Sequence, residues 1–143
     1  YIASGNVLFR ATGSAATLED RIEKMLSKAF PYKATVVVRS RTQMRSIVDK
    51  APESIGANTK THMYDVVFLK KPLTASAALK QVPTRDEVDE AYAGPGVIYF
   101  SRVASMRTKS RLSRVASLPV YKQMTIRSWS TTTRLLQLMD EAG

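Results

Sequence analysis

The chain has 143 residues, a formal net charge of +10 and an apolar fraction of 44%. This length suits one compact domain, and the apolar fraction is that of a globular protein, which excludes a disordered basic tail. The absence of cysteine excludes disulfides and thiolate catalysis, and no apolar run approaches the roughly 18 residues that span a bilayer. We therefore expect a single soluble domain over residues 1–143 with no membrane partner, in the cytoplasm.

The first residues predict a short hairpin followed by a helix. Residues 1–3 and 7–9 are typical of strands, and Ser4-Gly5-Asn6 between them has the residue types of a turn. From Leu18 to Ala29 the apolar residues recur at steps of three and four, as in a helix, with Ser14 or Thr17 as the N-cap. Because the chain begins at Tyr1 inside an apolar pattern, we expect it to be a fragment of a longer domain.

A second strand and helix are predicted before the middle of the chain. The β-branched run over residues 34–38 predicts a buried strand. Ser40 and Gln43 then form a potential capping box for a helix that stops near Pro52.

The rest of the chain predicts strands, helices and one hairpin. Residues 63–69 read as a strand, residues 74–80 as a short helix, and residues 87–92 and 97–101 as two strands of a hairpin around Gly94-Pro95-Gly96. Two helices close the chain, over residues 111–118 behind Ser110 and over residues 131–139 behind Ser128 or Ser130. The predicted fold class is α+β, with helices packed on a mixed sheet that contains βαβ units.

Motifs for catalysis, metals and cofactors are missing from the sequence. His62 is the only histidine, and the acids of residues 86–90 are adjacent, so neither supplies a metal site or a pair of carboxylates around one substrate atom. The chain has neither the glycine pattern of a dinucleotide site nor a phosphate-binding Gly-Lys-Ser/Thr loop. We expect no cofactor and no metal.

The tail of the chain is strongly basic. Residues 101–139 contain eight Lys and Arg residues and no Asp or Glu. A helix starting behind Ser110 would offer backbone N–H groups to an anion, with Lys109 and Arg111 beside them. Arg127 close to Trp129 would add a planar donor and a stacking surface. The alternative is that these charges form a solvated face and that Trp129 is part of the core.

Two end segments resemble a known family. The run from Tyr1 to Phe9 is similar to the Tyr-Ile-x-Ser-Gly-Asn-Val-x-Phe segment of the bacterial family called domain of unknown function 1697, and residues 36–40 are similar to its next strand. Ser110-Arg111-Leu112 resembles its Ser-Lys-Leu helix entrance, and residues 125–131 resemble its Thr-x-Arg-Asn-Trp-x-Thr signature, with Ser128 in place of the usual Asn.

The resemblance implies a ferredoxin-like α+β fold and no established activity, cofactor or catalytic residue. It also implies that the family's N-terminal strand, its Arg-Gly-Ile-Asn loop and its first helix would precede Tyr1. The family-motif residues present here are the candidates for a shared site: Ser4, Gly5, Asn6, Ser110, Thr125, Arg127, Trp129 and Thr131.

Two functions remain open at this point. The first is a non-enzymatic binding module whose basic face receives a phosphate-containing small molecule or nucleic acid, through Ser110, Lys109, Arg111 and Arg127. The second is an enzyme acting on a phosphorylated or carboxylated metabolite, with Ser4, Asn6 and Thr125 orienting the substrate. Exposed aromatic residues beside the arginines, such as Tyr99 and Trp129, would favour nucleic acid, whereas burial of both would leave only non-specific attraction to phosphate.

Overall fold

Within the part of the chain that the structure describes, the regular structure consists of six strands, four α-helices and three 3-10 helices. The computed structural model describes residues 2–3, 6–10, 13–29 and 36–142. The α-helices are α1 (Ala15–Ala29), α2 (Arg41–Asp49), α3 (Ala75–Leu79) and α4 (Trp129–Ala142), and the 3-10 helices are Ala104–Lys109, Leu112–Ser117 and Pro119–Gln123. The strands are β1 (Ile2–Ala3), β2 (Asn6–Val7), β3 (His62–Leu69), β4 (Asp89–Gly94), β5 (Val97–Val103) and β6 (Met124–Ser128).

Four of the strands form the main sheet, in the order β4-β5-β3-β6. All three of its pairings are antiparallel, so the mixed sheet expected from the sequence is wrong for the strands that the structure describes. Strands β3 and β4 are connected through α3 and run in the same direction, but β5 lies between them in the sheet. The connection is therefore a split βαβ unit, whose two parallel strands do not pair with each other. The α+β class is confirmed, and a ferredoxin-like fold stays a prediction.

Both faces of the main sheet are covered, and its inner strand β3 contributes apolar side chains to the core on each side. From Tyr64 to Leu69 every residue of β3 is buried. Val67 and Leu69 lie in a core with α3 and the second and third 3-10 helices, whereas Val66 and Phe68 lie in a core with α2 and α4. The sheet therefore separates two layers, and a side chain's position along a strand determines which layer it faces.

Side-chain caps fix the starts of the helices, as the sequence indicated. Ser14 accepts a hydrogen bond from the Thr17 backbone N–H at 3.2 Å, so Ser14 caps α1. At α2 the capping box is complete, with Gln43 N–H donating to the Ser40 hydroxyl at 3.1 Å and Ser40 N–H donating to the Gln43 side chain at 2.8 Å. Ser128 caps α4 by accepting from the Thr131 N–H at 3.1 Å.

Two predicted elements differ in the structure. Residues 36–40 are not in a strand, because the backbone N–H of Val38 donates to the Glu19 carboxylate on α1 at 2.7 Å instead of to a neighbouring strand; residues 34 and 35 of that prediction lie outside the described residues. The α-helix predicted over residues 111–118 is a 3-10 helix of six residues, and Pro119 begins the next one. The residue before a proline disfavours the α conformation, and Leu118 is extended with ψ 145°, so the helix ends before Pro119.

Helix α1 is joined to one end of the main sheet by charged groups. The Arg39 guanidinium donates to the backbone oxygens of Leu69 at 2.5 Å and Gly96 at 3.0 Å, and lies 4.0 Å from the Glu19 carboxylate. Burial is the main influence on Arg39 and lowers its pKa, while Glu19 opposes that change. One turn further along α1, Glu23 forms an ion pair with Lys70 at the end of β3.

Candidate anion-binding surface

One layer of the molecule is strongly basic. We call it the basic layer: residues 71–85, which include α3, and residues 104–123, which contain the three 3-10 helices. Helix α3 and the second and third 3-10 helices cover the sheet face on which Val67 and Leu69 lie, and the first 3-10 helix leads into them from the end of β5. They contain no Asp or Glu and eight cations, of which all but the half-buried Arg111 are exposed: Lys71, Lys80, Arg85, Arg107, Lys109, Arg111, Arg114 and Lys122.

The cations of the basic layer have no carboxylate partners. Among the described residues, none of the eight lies within ion-pair distance of an acid. The opposite layer is different, since Arg41 and Arg45 both bind Asp140, and these bonds lower the pKa of that carboxyl. Residues 36–58 and 129–142 hold five Lys or Arg residues against four acids. The excess positive charge is thus concentrated on one face of the sheet.

The backbone around Ser110 is already hydrogen-bonded within the protein. Ser110 N–H donates to the Arg107 oxygen at 3.2 Å, Arg111 N–H donates to the Asp89 carboxylate at 2.8 Å, and Leu112 N–H donates to the Ser110 hydroxyl at 3.2 Å. The prediction that these backbone groups are open to an external anion is therefore wrong. Asp89, which is 7% exposed, fills the position of that anion from β4.

A row of polar side chains crosses the sheet beneath this segment. Asp89 on β4 is the register partner of Arg102 on β5, and Asp65 on β3 is the register partner of Ser128 on β6. The Arg102 guanidinium lies 3.5 Å from the Asp65 carboxylate. Burial raises the pKa of Asp65, and Arg102 opposes the rise. Asp65 and Asp89 are buried beneath the basic layer, whereas Arg102 and Ser128 are half-buried. Asp89 is the member of the row that holds the layer, through the backbone N–H groups of Arg85 and Arg111.

The sheet divides the candidate site residues between the two layers. Along β6, Ile126 packs in the core of the basic layer, so Thr125 and Arg127 face the opposite layer. Arg127 donates from Nε to the Asn6 side chain at 2.8 Å and from a terminal nitrogen to the Ile126 oxygen at 2.8 Å. The two end motifs therefore meet at Asn6 and Arg127, whereas Ser110, Lys109 and Arg111 lie across the sheet. Ser4 and Gly5 lie outside the described residues.

The aromatic residues expected beside the arginines are packed in the core. Trp129 is half-buried against the α2 and α4 core and lies so close to Gly56 that a Cβ there would be 2.6 Å from the indole nitrogen. Tyr99 is fully buried and donates its hydroxyl to the Ile47 oxygen at 2.6 Å, and burial raises its pKa to about 12. Neither residue is available to stack on a nucleotide at the basic layer.

The two described cavities lie around α1 and are lined mainly by apolar residues. The larger has a volume of about 900 Å³ and lies between α1, residues 7–10, residues 36–41 and the end of α4. The smaller lies between Phe9 and the outer side of α1. Asn6, Thr125 and Arg127 line neither of them, so the substrate-orienting arrangement considered for an enzyme is not assembled around these spaces.

Searches for other sites gave negative results within the described part of the chain. In residues 2–3, 6–10, 13–29 and 36–142 no group of three or more His, Cys, Asp or Glu side chains is placed to hold a metal ion. Over the same residues no helix has both the length and the apolar character needed to cross a bilayer.

Part of the basic layer was missed by reasoning from the tail alone. Residues 71–85 are as free of acids as the tail, and they add Lys71, Lys80 and Arg85 to the same face. The sequence does show residues 71–85 as a second basic run without acids. Only the topology, in which α3 and the 3-10 helices cover one sheet face, shows that the two runs adjoin.

Comparison with known proteins agrees with this architecture of an α+β domain whose sheet is covered on both faces. Residues 1–99 match the family described as "Protein of unknown function (DUF1697)", and the chain belongs to this family. The match ends before Ser110, so the resemblance of the two C-terminal motifs lies outside it. No curated protein matches the sequence.

A solved structure shares the fold. It is that of the conserved bacterial protein SP0830 from Streptococcus pneumoniae, which is 20% identical with a TM-score of 0.80. The match covers 97% of this chain and 78% of that one, so about a fifth of the SP0830 chain lies outside the shared region. At this level of identity the likeness shows the fold alone.

Proposed function

We propose that this protein is a cytoplasmic, non-enzymatic binding module whose basic layer binds the phosphate backbone of nucleic acid. The observation that carries the proposal is the layer itself: eight cations, seven of them exposed, with no acid in the two segments. Cations held together without counter-charges repel one another and lower the stability of the fold. A polyanion relieves this repulsion and releases its own condensed counterions on binding.

The shape of the basic layer favours a long polyanion over a small one. Seven of its eight cations are exposed, and they are distributed over residues 71–85 and 104–123 and line neither described cavity. The backbone groups near Ser110, which would have held a single phosphate, are occupied by Asp89 and by local hydrogen bonds. Lys109 and Arg111 therefore act as part of a field of charges, contacting phosphates along a strand.

The remaining candidate residues have a different part in the proposal. Arg127, Asn6, Thr125 and Trp129 lie in or beside the opposite layer, where Arg127 joins β6 to β2. Arg127 and Asn6 hold the two ends of the chain together, and none of the four residues contacts the polyanion in this proposal.

The test compares the salt dependence of binding in two triple variants of equal net charge. The first removes Arg107, Arg114 and Lys122 from the basic layer by substitution to Gln; the control makes the same substitution at three exposed cations outside it, Arg21, Lys50 and Arg134. Binding of a labelled oligonucleotide is measured by fluorescence anisotropy at several salt concentrations from about 50 mM to about 200 mM.

The expected result is a difference in slope. For single strands each phosphate contact contributes about −0.7 to the slope of log K against log salt, so the first variant should flatten the slope by about 2. The control variant should leave the slope close to that of the wild type. Equal changes in the two variants would mean that binding follows net charge alone, and that result would refute the assignment to the basic layer, as would the absence of binding by the wild type.

A further inference from the structure

The basic layer contains one aromatic residue, and it is exposed. Tyr121 is the only Phe, Tyr or Trp in residues 71–85 and 104–123. Its side chain is 38% exposed, whereas Tyr64 and Tyr99 of the main sheet are 8% and 0% exposed. Among the described residues the Tyr121 hydroxyl has no hydrogen-bond partner. The ring is therefore open to a ligand on the face that carries the unpaired cations.

Packing and a hydrogen bond fix the backbone segment that carries this ring. Tyr121 lies in the 3-10 helix Pro119–Gln123, whose Val120 is 5% exposed and packs in the core of the basic layer. The end of this helix is attached to β3, because the Lys70 N–H donates to the Gln123 oxygen at 2.8 Å. In the sequence Lys122 follows Tyr121 directly, and Lys71 follows Lys70, the residue whose N–H binds the Gln123 oxygen.

An exposed ring among cations distinguishes single strands from duplexes. Every base has a flat face on which an aromatic side chain can stack, and this contact is insensitive to sequence. In a duplex those faces are covered by the neighbouring base pairs, so a side chain on an open protein surface reaches only the phosphates and the groove edges.

We propose that the basic layer prefers single-stranded nucleic acid, with Tyr121 stacking on a base while the surrounding cations bind the phosphates. This inference rests on the proposed function, because it assigns the kind of nucleic acid to the same surface. Tyr121 is then the residue that determines specificity, and the eight cations supply affinity common to all polyanions.

The test uses three probes of about 20 nucleotides: a single strand, the duplex of the same sequence, and an abasic strand that keeps the phosphates without the bases. The variants are Tyr121→Leu, which removes the ring, and Tyr121→Phe, which keeps it. Phe9→Leu is the control, because Phe9 is 49% exposed and lies outside the basic layer. Unfolding followed by Trp129 fluorescence verifies that every variant is folded.

Loss of one stacked base corresponds to about a tenfold weaker Kd, so Tyr121→Leu should weaken binding of the single strand by about this factor. Its affinity for the duplex and the abasic strand should equal that of the wild type, and Tyr121→Phe and Phe9→Leu should bind all three probes normally. If Tyr121→Leu binds the single strand as well as the wild type does, or weakens all three probes equally, the inference is overturned while the proposed function stands. If the wild type binds none of the three, the proposed function itself fails.

Discussion

Replacing Asp89 should detach the basic layer from the sheet at a measurable cost in stability. One carboxylate oxygen of Asp89 accepts from the backbone N–H of Arg111 at 2.8 Å and of Arg85 at 3.0 Å. A hydrogen bond to a charged group contributes about 1.5–3 kcal/mol, and Asp89→Ala removes two. Because water can reach the exposed Arg85, we take the lower value for each bond and expect a loss of about 3 kcal/mol in the free energy of unfolding.

Urea unfolding followed by Trp129 fluorescence measures this loss, since Trp129 packs in the opposite core and reports global unfolding. Asp89→Asn keeps an acceptor oxygen without the charge, so it should cost about 1 kcal/mol. Asp86→Ala is the control: Asp86 is exposed, and its replacement should change stability by less than about 0.5 kcal/mol. If Asp89→Ala and Asp86→Ala are equally stable, the Arg111 backbone is not held by Asp89 and the reasoning is refuted.

Two further predictions concern the sheet and its cover. Burial raises the pKa of Asp65, so its ionisation costs stability as pH rises from the unfolded pKa through the folded pKa. The stability of Asp65→Asn relative to the wild type should therefore be greater at about pH 7 than at about pH 3 in urea unfolding, and a constant difference would contradict this. Gly56 has φ +82° and contacts Trp129, so Gly56→Ala should lower the free energy of unfolding by about 2 kcal/mol. Gly13→Ala, with φ +117° and nothing within 4 Å, isolates the backbone part, and an equal loss would exclude a role for the indole contact.

The parts of the fold that depend on local patterns were predictable. The caps at Ser14 and Ser40 and the hairpin around residues 95–96 follow from neighbouring residues, and the structure has them at these positions. The strand expected up to Val38 failed because a distant side chain, Glu19, takes its backbone bond. Nothing in the local sequence of residues 34–38 indicates that interaction.

The candidate site was predictable in composition and not in arrangement. The acid-free tail indicated a basic surface, and the structure adds residues 71–85 to it. Arg127 and Arg111 lie on different sides of the sheet because Ile126, next to Arg127 on β6, faces the basic layer. The face to which each β6 side chain points is set by the pairing of β6 with β3, which is distant in the sequence. Nothing in the sequence indicated that the Arg111 N–H would donate a hydrogen bond to Asp89, which lies 22 residues earlier.

The uneven distribution of charge between the two layers gives the molecule an electric dipole moment with a component directed across the sheet. Eight cations lie in the basic layer, while the opposite layer nearly balances its charges. In the field of an extended anionic surface such a molecule rotates before it makes contact, so the encounter is oriented as well as accelerated. If the proposed binding through the basic layer holds, α2 and α4 would face away from that surface into solvent.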